Sequence, residues 1–220
     1  MKNTLPWQLL TLVVALLPVA YQCYVWPALP AEVPTHFGFD GQVNGYTHRD
    51  QLWLFTLALP VGLAVLMAVL PRLDPKRRLD GSTANFQKLR LAVVGLISGL
   101  AVASLYAATH PGFAPGRGVV VLVGLGVALM GNYLTTVQPN YFVGIRTPWT
   151  LESPLVWART HRVGGVGFCV AGLLLAGAAL VLPLAWVHPA VLVLMLGVAV
   201  FSYGYSYWAF RQQETAGKPA

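Results

Sequence analysis

The chain has 220 residues, of which 56% are hydrophobic and only 10% charged, with a net charge of +7. Soluble domains are about a quarter charged and just under half apolar, so most of this chain cannot be wetted by water. The balance excludes a disordered chain, a nucleic-acid-binding domain that relies on positive charge, and an ordinary soluble enzyme, and it leaves a polytopic membrane protein.

In chain order, Lys2 precedes an apolar run from Leu9 to Val25. The run is longer than a signal-peptide core, and Ala28-Leu29-Pro30-Ala31 is a poor cleavage site, so a retained first membrane helix is expected. A helix crosses the bilayer with about 20 apolar residues. Six segments qualify, near residues 7–29, 52–71, 89–109, 118–135, 163–185 and 190–210, and apart from Arg90 none contains Asp, Glu, Lys or Arg. They are apolar all round rather than striped, which argues against a soluble bundle. They do not alternate, which argues against a β-barrel. The expected fold is an all-α membrane protein of six transmembrane helices. Cys23 and Cys169 each lie in an apolar run and read as small buried hydrophobes. Gly95-xxx-Gly99 and Gly172-xxx-Ala176 are candidate helix contacts.

With six spans both termini share one side. That side carries Lys2, Arg72, Lys76, Arg77, Arg78, Lys88, Arg90, Arg146, Arg159, Arg162, Arg211 and Lys218, against Arg49 and Arg117 on the other. Positive charge marks the cytoplasmic face, so both termini are expected there, with attraction to anionic membrane lipids as a secondary effect. Tyr203, Tyr205, Tyr207 and Trp208 fit an aromatic belt on that face, and Trp26 and Trp186 fit the other.

The outer loop, residues 30–51, contains two tight-turn dipeptides, Asp40-Gly41 and Asn44-Gly45, flanked by alternating residues. This predicts a small extracytoplasmic hairpin or compact turn after the first helix. Its candidate ligand-contact residues are His36, Phe37, Gly38, Asp40, Gly41, Asn44 and His48. The residue types suit zinc, but the spacing of His36 and His48 is not diagnostic, and no metal site is assigned. No cofactor is implied.

The inner loop, residues 131–165, is the densest in unusual residues. Ser153 followed by Pro154 is an N-cap with proline at the first helical position, so a helix should start there and run on toward the fifth span. Trp157 and His161 are four apart and share a face; Arg159 and Arg162 share another. Thr147-Pro148-Trp149-Thr150 reads as a turn seating Trp149 at the membrane interface. On these residues alone, a partner surface and simple interfacial anchoring are both open.

The phrase Gly131-Asn132-Tyr133 … Phe142-Val143-Gly144-Ile145-Arg146-Thr147-Pro148-Trp149-Thr150-Leu151 … Val156-Trp157 … Thr160-His161-Arg162 … Gly164-Gly165 resembles the signature of the SdpI family. These are integral membrane immunity proteins. Pro34-Thr35-His36-Phe37-Gly38 … Gly41 … Gly45 resembles a module found at the N-terminus of many of them. The resemblance implies a two-helix module over residues 1–88 with the outer loop, and a four-helix module over 89–220 with the motif loop. It also implies a multi-pass protein of the bacterial cytoplasmic membrane that resists a secreted membrane-active peptide toxin and holds a cytoplasmic winged-helix repressor, without itself touching nucleic acid. The residues implied for the inner partner surface are Asn132, Asn140, Phe142, Gly144, Arg146, Thr147, Pro148, Trp149, Thr150, Trp157, Thr160, His161 and Arg162.

Two other classes compete. A lipid-binding protein or small-molecule transporter would use Arg146, Arg159 and Arg162 on phosphate, but no span core holds the acidic residue that ion coupling usually needs. An intramembrane enzyme would need a His-Glu-x-x-His motif, or a nucleophile placed beside His161, and the chain has neither. The expectation is therefore of a protein that is not an enzyme.

Overall fold

The computed structural model describes residues 4–38, 43–75, 79–110, 112–113 and 115–216. Among them, six helices are long and apolar enough to cross a membrane: Leu5–Ala28, Arg49–Leu73, Ala84–Thr109, Gly116–Leu134, Pro154–Val181 and Leu184–Thr215. The chain is a mostly helical, multi-pass membrane protein. We label the regular elements α1 (Leu5–Val25), β1 (Glu32–Phe37), β2 (Val43–His48), α2 (Leu59–Leu73), α3 (Ala84–Thr109), α4 (Gly116–Leu134), α5 (Pro148–Glu152), α6 (Pro154–Val181) and α7 (Leu184–Ala216).

The helices turn small and polar residues inward and large apolar residues outward. In α1 the buried face is Thr11, Ala15, Pro18, Gln22 and Val25, at spacings of four and three, while Leu9, Leu12, Val13 and Leu17 face out. Lipid is as apolar as leucine, so burying leucine between helices gains little, and close packing and hydrogen bonds decide which face turns in. Gln22 and Thr56 show this directly. Both are fully buried, and the Thr56 hydroxyl lies in hydrogen-bond contact with Gln22 Oε1 across the α1–α2 contact. Thr56 sits in a π-helical turn, Leu54–Ala58, that leads into α2.

The tightest helix pair is α4 with α6. A Cβ on Gly124 would lie 2.7 Å from the Gly172 carbonyl oxygen, and one on Gly165 would lie 2.7 Å from the Gly131 carbonyl oxygen. The backbones therefore touch where only glycine fits. The Gly172-xxx-Ala176 stripe packs on Gly124 and Ala128, as the spacing predicts. The Gly95-xxx-Gly99 stripe does not make a backbone contact: Cβ atoms there would meet Val14 and Leu122 side chains at ordinary distances of 3.9 and 3.6 Å.

At one end of the bundle β1 and β2 form an antiparallel hairpin, with Glu32 opposite His48 and Phe37 opposite Val43. Val33 is fully buried and packs with Val25, Leu29, Leu52 and Leu105, which seats the hairpin on the helix ends. Ser104 of α3 donates to the Pro34 carbonyl. Asn44-Gly45 forms no turn; both residues lie inside β2, where Gly45 faces His36 so closely that a Cβ would come within 2.8 Å of the histidine Cβ. The other expected turn, Asp40-Gly41, lies outside the described residues.

At the opposite end, Met67, Leu79, Phe86, Leu89, Tyr133, Val137 and Trp157 form one buried cluster. Three further differences from the sequence expectations have simple causes. Thr147–Thr150 opens a short helix rather than a plain turn, because its threonines form a capping box. α7 begins at Leu184, upstream of Pro189, since a proline this near a helix start removes only one hydrogen bond. Cys23 faces outward and Cys169 is half-buried; an apolar run surrounded by lipid need not bury its thiols in protein.

Candidate functional site

The motif loop is built around Asn140, which is 3% exposed. Its Nδ2 donates to the carbonyls of Gln138 (2.8 Å) and Val143 (2.9 Å), and its Oδ1 accepts from the Phe142 (2.8 Å) and Val143 (2.7 Å) amides. One side chain thus closes the turn that follows α4. The chain then passes across two stacked rings. Trp157 and His161, one turn apart on α6, stack at 4.0 Å with 17° between planes, and both are about 1% exposed. Trp157 Nε1 donates to the Val137 carbonyl at 2.9 Å. His161 Nδ1 meets the Trp157 carbonyl at 2.9 Å, while its Nε2 accepts from the Ile145 amide at 2.9 Å. A carbonyl accepts only and an amide N–H donates only, so these partners fix a neutral ring with the proton on Nδ1.

Gly144 passes directly over these rings with φ of +134°, and a Cβ there would come within 3.0 Å of Trp157 and collide with His161. Thr147 then caps α5: its Oγ1 accepts from the Thr150 amide (3.2 Å), and Thr150 Oγ1 accepts from the Thr147 amide (2.9 Å). Pro148 fills the first turn of that helix. Trp149 packs against Tyr203 and Tyr207 of α7, with ring centres 5.1 and 5.0 Å apart. Ser153 caps α6 through the Val156 amide (3.3 Å) and donates to Gln213 Oε1 (2.6 Å), tying the loop to the end of α7.

Most of the motif residues therefore fall into two sets. Asn140, Gly144, Thr147, Pro148, Trp149, Thr150, Trp157 and His161 form one frame. Phe142, Arg146 and Arg162 are exposed on it, with Arg146 donating to the Tyr141 carbonyl. Thr160 is fully buried and its hydroxyl has no partner. Asn132 lies apart, exposed on α4 beside Lys88 and Thr136. Beside the frame is a groove of ≈670 Å³ that combines Arg159 and Arg162 with Tyr205 and Trp208. Among the described residues its lining contains no acidic residue, so the groove combines two uncompensated guanidinium groups with aromatic faces.

At the hairpin end, His36 Nδ1 lies 2.5 Å from Asn44 Oδ1, and Thr35 and Thr47 share a hydroxyl contact of 2.8 Å. His48 lies near the other end of the hairpin, where its Nδ1 accepts from the Asp50 amide (3.4 Å) and lies 3.3 Å from the Asp50 carboxylate. The register puts His36 opposite Gly45, three positions from His48 along β2. That is about 10 Å, so the two histidines do not meet on one ion. His36, Gly38 and Asn44 border a second cavity together with His188 of α7. From the sequence His188 is one of four histidines expected on the outer face, with His36, His48 and His110; its place in the cavity wall emerges only when three helices are brought together. Phe37 closes β1, and Asp40 and Gly41 lie outside the described residues.

Residues 136–206, which contain this frame and most of the groove lining but not Trp208, match the SdpI/YfhL protein family. The likeness to the SdpI family lies in this segment, about a third of the chain. Residues 13–60 match a domain of unknown function, DUF1648, which covers α1 from Val13 onward, the hairpin and the start of the second span. The chain is 33% identical over 60 residues to the immunity protein SdpI of Bacillus subtilis (strain 168), an alignment covering 26% of this chain and 29% of that protein. The chain thus matches less than a third of the length of that curated relative. No solved structure matches the chain. The SdpI-family segment begins after Asn132, and every frame residue from Asn140 to His161 lies within it.

Proposed function

We propose that this chain is an immunity protein of the bacterial cytoplasmic membrane, which protects the cell against a membrane-active peptide toxin. The carrying observation is that the buried Asn140–Trp157–His161 frame falls wholly within the SdpI-family segment, and that a relative of that family is an immunity protein. The frame holds a fixed surface rather than a reaction centre: its ring nitrogens and amide groups are already bonded to backbone, which leaves them no proton to move for a substrate.

The distribution of Lys and Arg supports an inward-facing motif end with both termini in the cytoplasm, and an outward-facing hairpin. In this arrangement the hairpin face, with His36, Gly38, Asn44 and His48, meets the peptide. The Arg159–Arg162 groove docks a cytoplasmic partner with acidic side chains, and a winged-helix repressor fits that role. The 1–88 and 89–220 modules would divide these tasks. Expression of the chain in toxin-sensitive cells tests the immunity reading. Survival should rise in the presence of the peptide, and unchanged killing at verified membrane expression would refute it.

A second reading has its own observation. The same groove sets two arginines beside Tyr205 and Trp208, an arrangement that also suits a phospholipid phosphate at the membrane interface. Purification followed by lipid mass spectrometry separates the two. An enriched anionic lipid that disappears in Arg159→Ala/Arg162→Ala favours lipid binding over a protein partner.

A further inference from the structure

The groove beside the frame does not end at Arg159 and Arg162. Pro139, Pro154 and Trp157 line it and also line a second hollow of ≈230 Å³, which holds Tyr141, Leu151 and Glu152. The two hollows therefore form one trough along the start of α6, with two guanidinium groups in one half and a carboxylate in the other. Glu152 precedes Arg159 by seven residues, about 10 Å at helical rise. All three charged side chains are exposed, and none forms an ion pair among the described residues.

The same trough exposes large apolar groups: Leu151 is 49% exposed, Leu155 47% and Tyr141 43%. Their height decides what covers them. Arg117 bonds the carbonyls of Ala179 and Leu182, which places the far end of α6 at the outer membrane surface. α6 has 28 residues, about 42 Å of helix, against a hydrocarbon core of about 30 Å. Measured from Val181, the core ends near His161. Leu155 then stands about 9 Å past the lipid tails, beyond a head-group layer of about 5–7 Å. Apolar side chains grouped in water at that height mark an interaction surface.

Charge sets two occupants aside. A second copy in the same membrane is related by an axis along the membrane normal, which sets residues of equal height against each other, Glu152 facing Glu152 and Arg159 facing Arg159. A phospholipid phosphate answers the arginines but leaves Glu152 and the leucines bare. We propose that the trough docks one amphipathic helix of a cytoplasmic protein. That helix carries an acidic side chain over Arg159 and Arg162, a basic one about two turns away over Glu152, and apolar anchors at helical spacing against Leu151 and Leu155. The inference rests on the reading above that the groove docks a cytoplasmic partner, and it adds the form and the charge order of the docked segment.

The probes are three synthetic helical peptides with one leucine face in common. The first has glutamates at one end and lysines at the other, the second glutamates at both ends, the third lysines at both. Binding to the full chain in zwitterionic nanodiscs, above that to empty nanodiscs, is read by fluorescence anisotropy. The mixed peptide should bind tightest, with the all-glutamate peptide about fivefold weaker, the weight of one exposed charge pair. Glu152→Lys should reverse that order. Leu155→Ser, at an exposed position, should weaken the mixed peptide about tenfold. Phosphatidylglycerol added to the nanodiscs should leave its affinity unchanged; displacement by that lipid would give the arginines to a head group and overturn the proposal. Equal binding of the three peptides, or a ranking indifferent to Glu152→Lys, would overturn the charge order while leaving the groove a docking site. No binding above empty nanodiscs would overturn both. No toxin enters the assay, so the immunity reading stands or falls separately, on survival.

Discussion

At Asn140 both amide protons and both carbonyl lone pairs are bonded to backbone groups of the 138–143 turn. This makes a sharp test of its role. Asn140→Asp keeps the acceptors but loses the donors and sets a charge against two carbonyl oxygens. Burial of an uncompensated charge of this kind costs about 3–5 kcal/mol. Thermal unfolding in detergent, followed by tryptophan fluorescence, should show a marked fall in Tm, and a wild-type Tm would contradict the assignment. Gly144 makes a second residue-scale test. Alanine at φ of +134° is strained by about 1–3 kcal/mol before any collision with His161 is added. Gly144→Ala should lower Tm and weaken the ordered loop, seen as faster proteolysis between residues 138 and 147.

Among the elements, the helix–helix contacts were only partly legible in the sequence. Length and apolarity suffice to find six spans, and Ser153-Pro154 marks the start of α6 because capping is a local property. Which small-residue stripe makes a backbone contact is not local. Gly95-xxx-Gly99 and Gly172-xxx-Ala176 have the same spacing, yet only the second meets the backbone of a neighbouring helix, at Gly124 and Ala128, whereas the first meets the side chains of Val14 and Leu122. The two should therefore respond differently to substitution. Gly172→Val pushes α4 and α6 apart and should destabilise the fold severely. Gly95→Ala meets a methyl group at 3.9 Å and should leave Tm unchanged or slightly raised, because alanine is the better helix former by about 1 kcal/mol. Parallel melting of the two variants checks this. Asn44-Gly45 failed as a turn signal for a related reason: its glycine answers the His36 side chain across the hairpin, a contact that no sequence window contains. In the motif loop the part that each residue plays was not legible, since most of the conspicuous ones hold the loop together while Phe142, Arg146, Arg159 and Arg162 are left exposed.

On the scale of the whole molecule, the account requires two working ends on opposite faces of the membrane. Orientation is tested with Cys23 and Cys169 replaced and single cysteines introduced. Tyr46→Cys in the hairpin should react with an impermeant maleimide in intact cells, while Arg159→Cys should react only after permeabilisation; the reverse pattern would invert the assignment of the two faces. The central claim, protection, is tested most directly by killing curves. Toxin-sensitive cells would express the chain, or carry an empty vector, in the presence of the membrane-active peptide, with membrane insertion verified by blotting. The account predicts survival well above the vector control, lost in the frame variant Asn140→Asp. Killing indistinguishable from the vector, with the intact chain in the membrane, would contradict it.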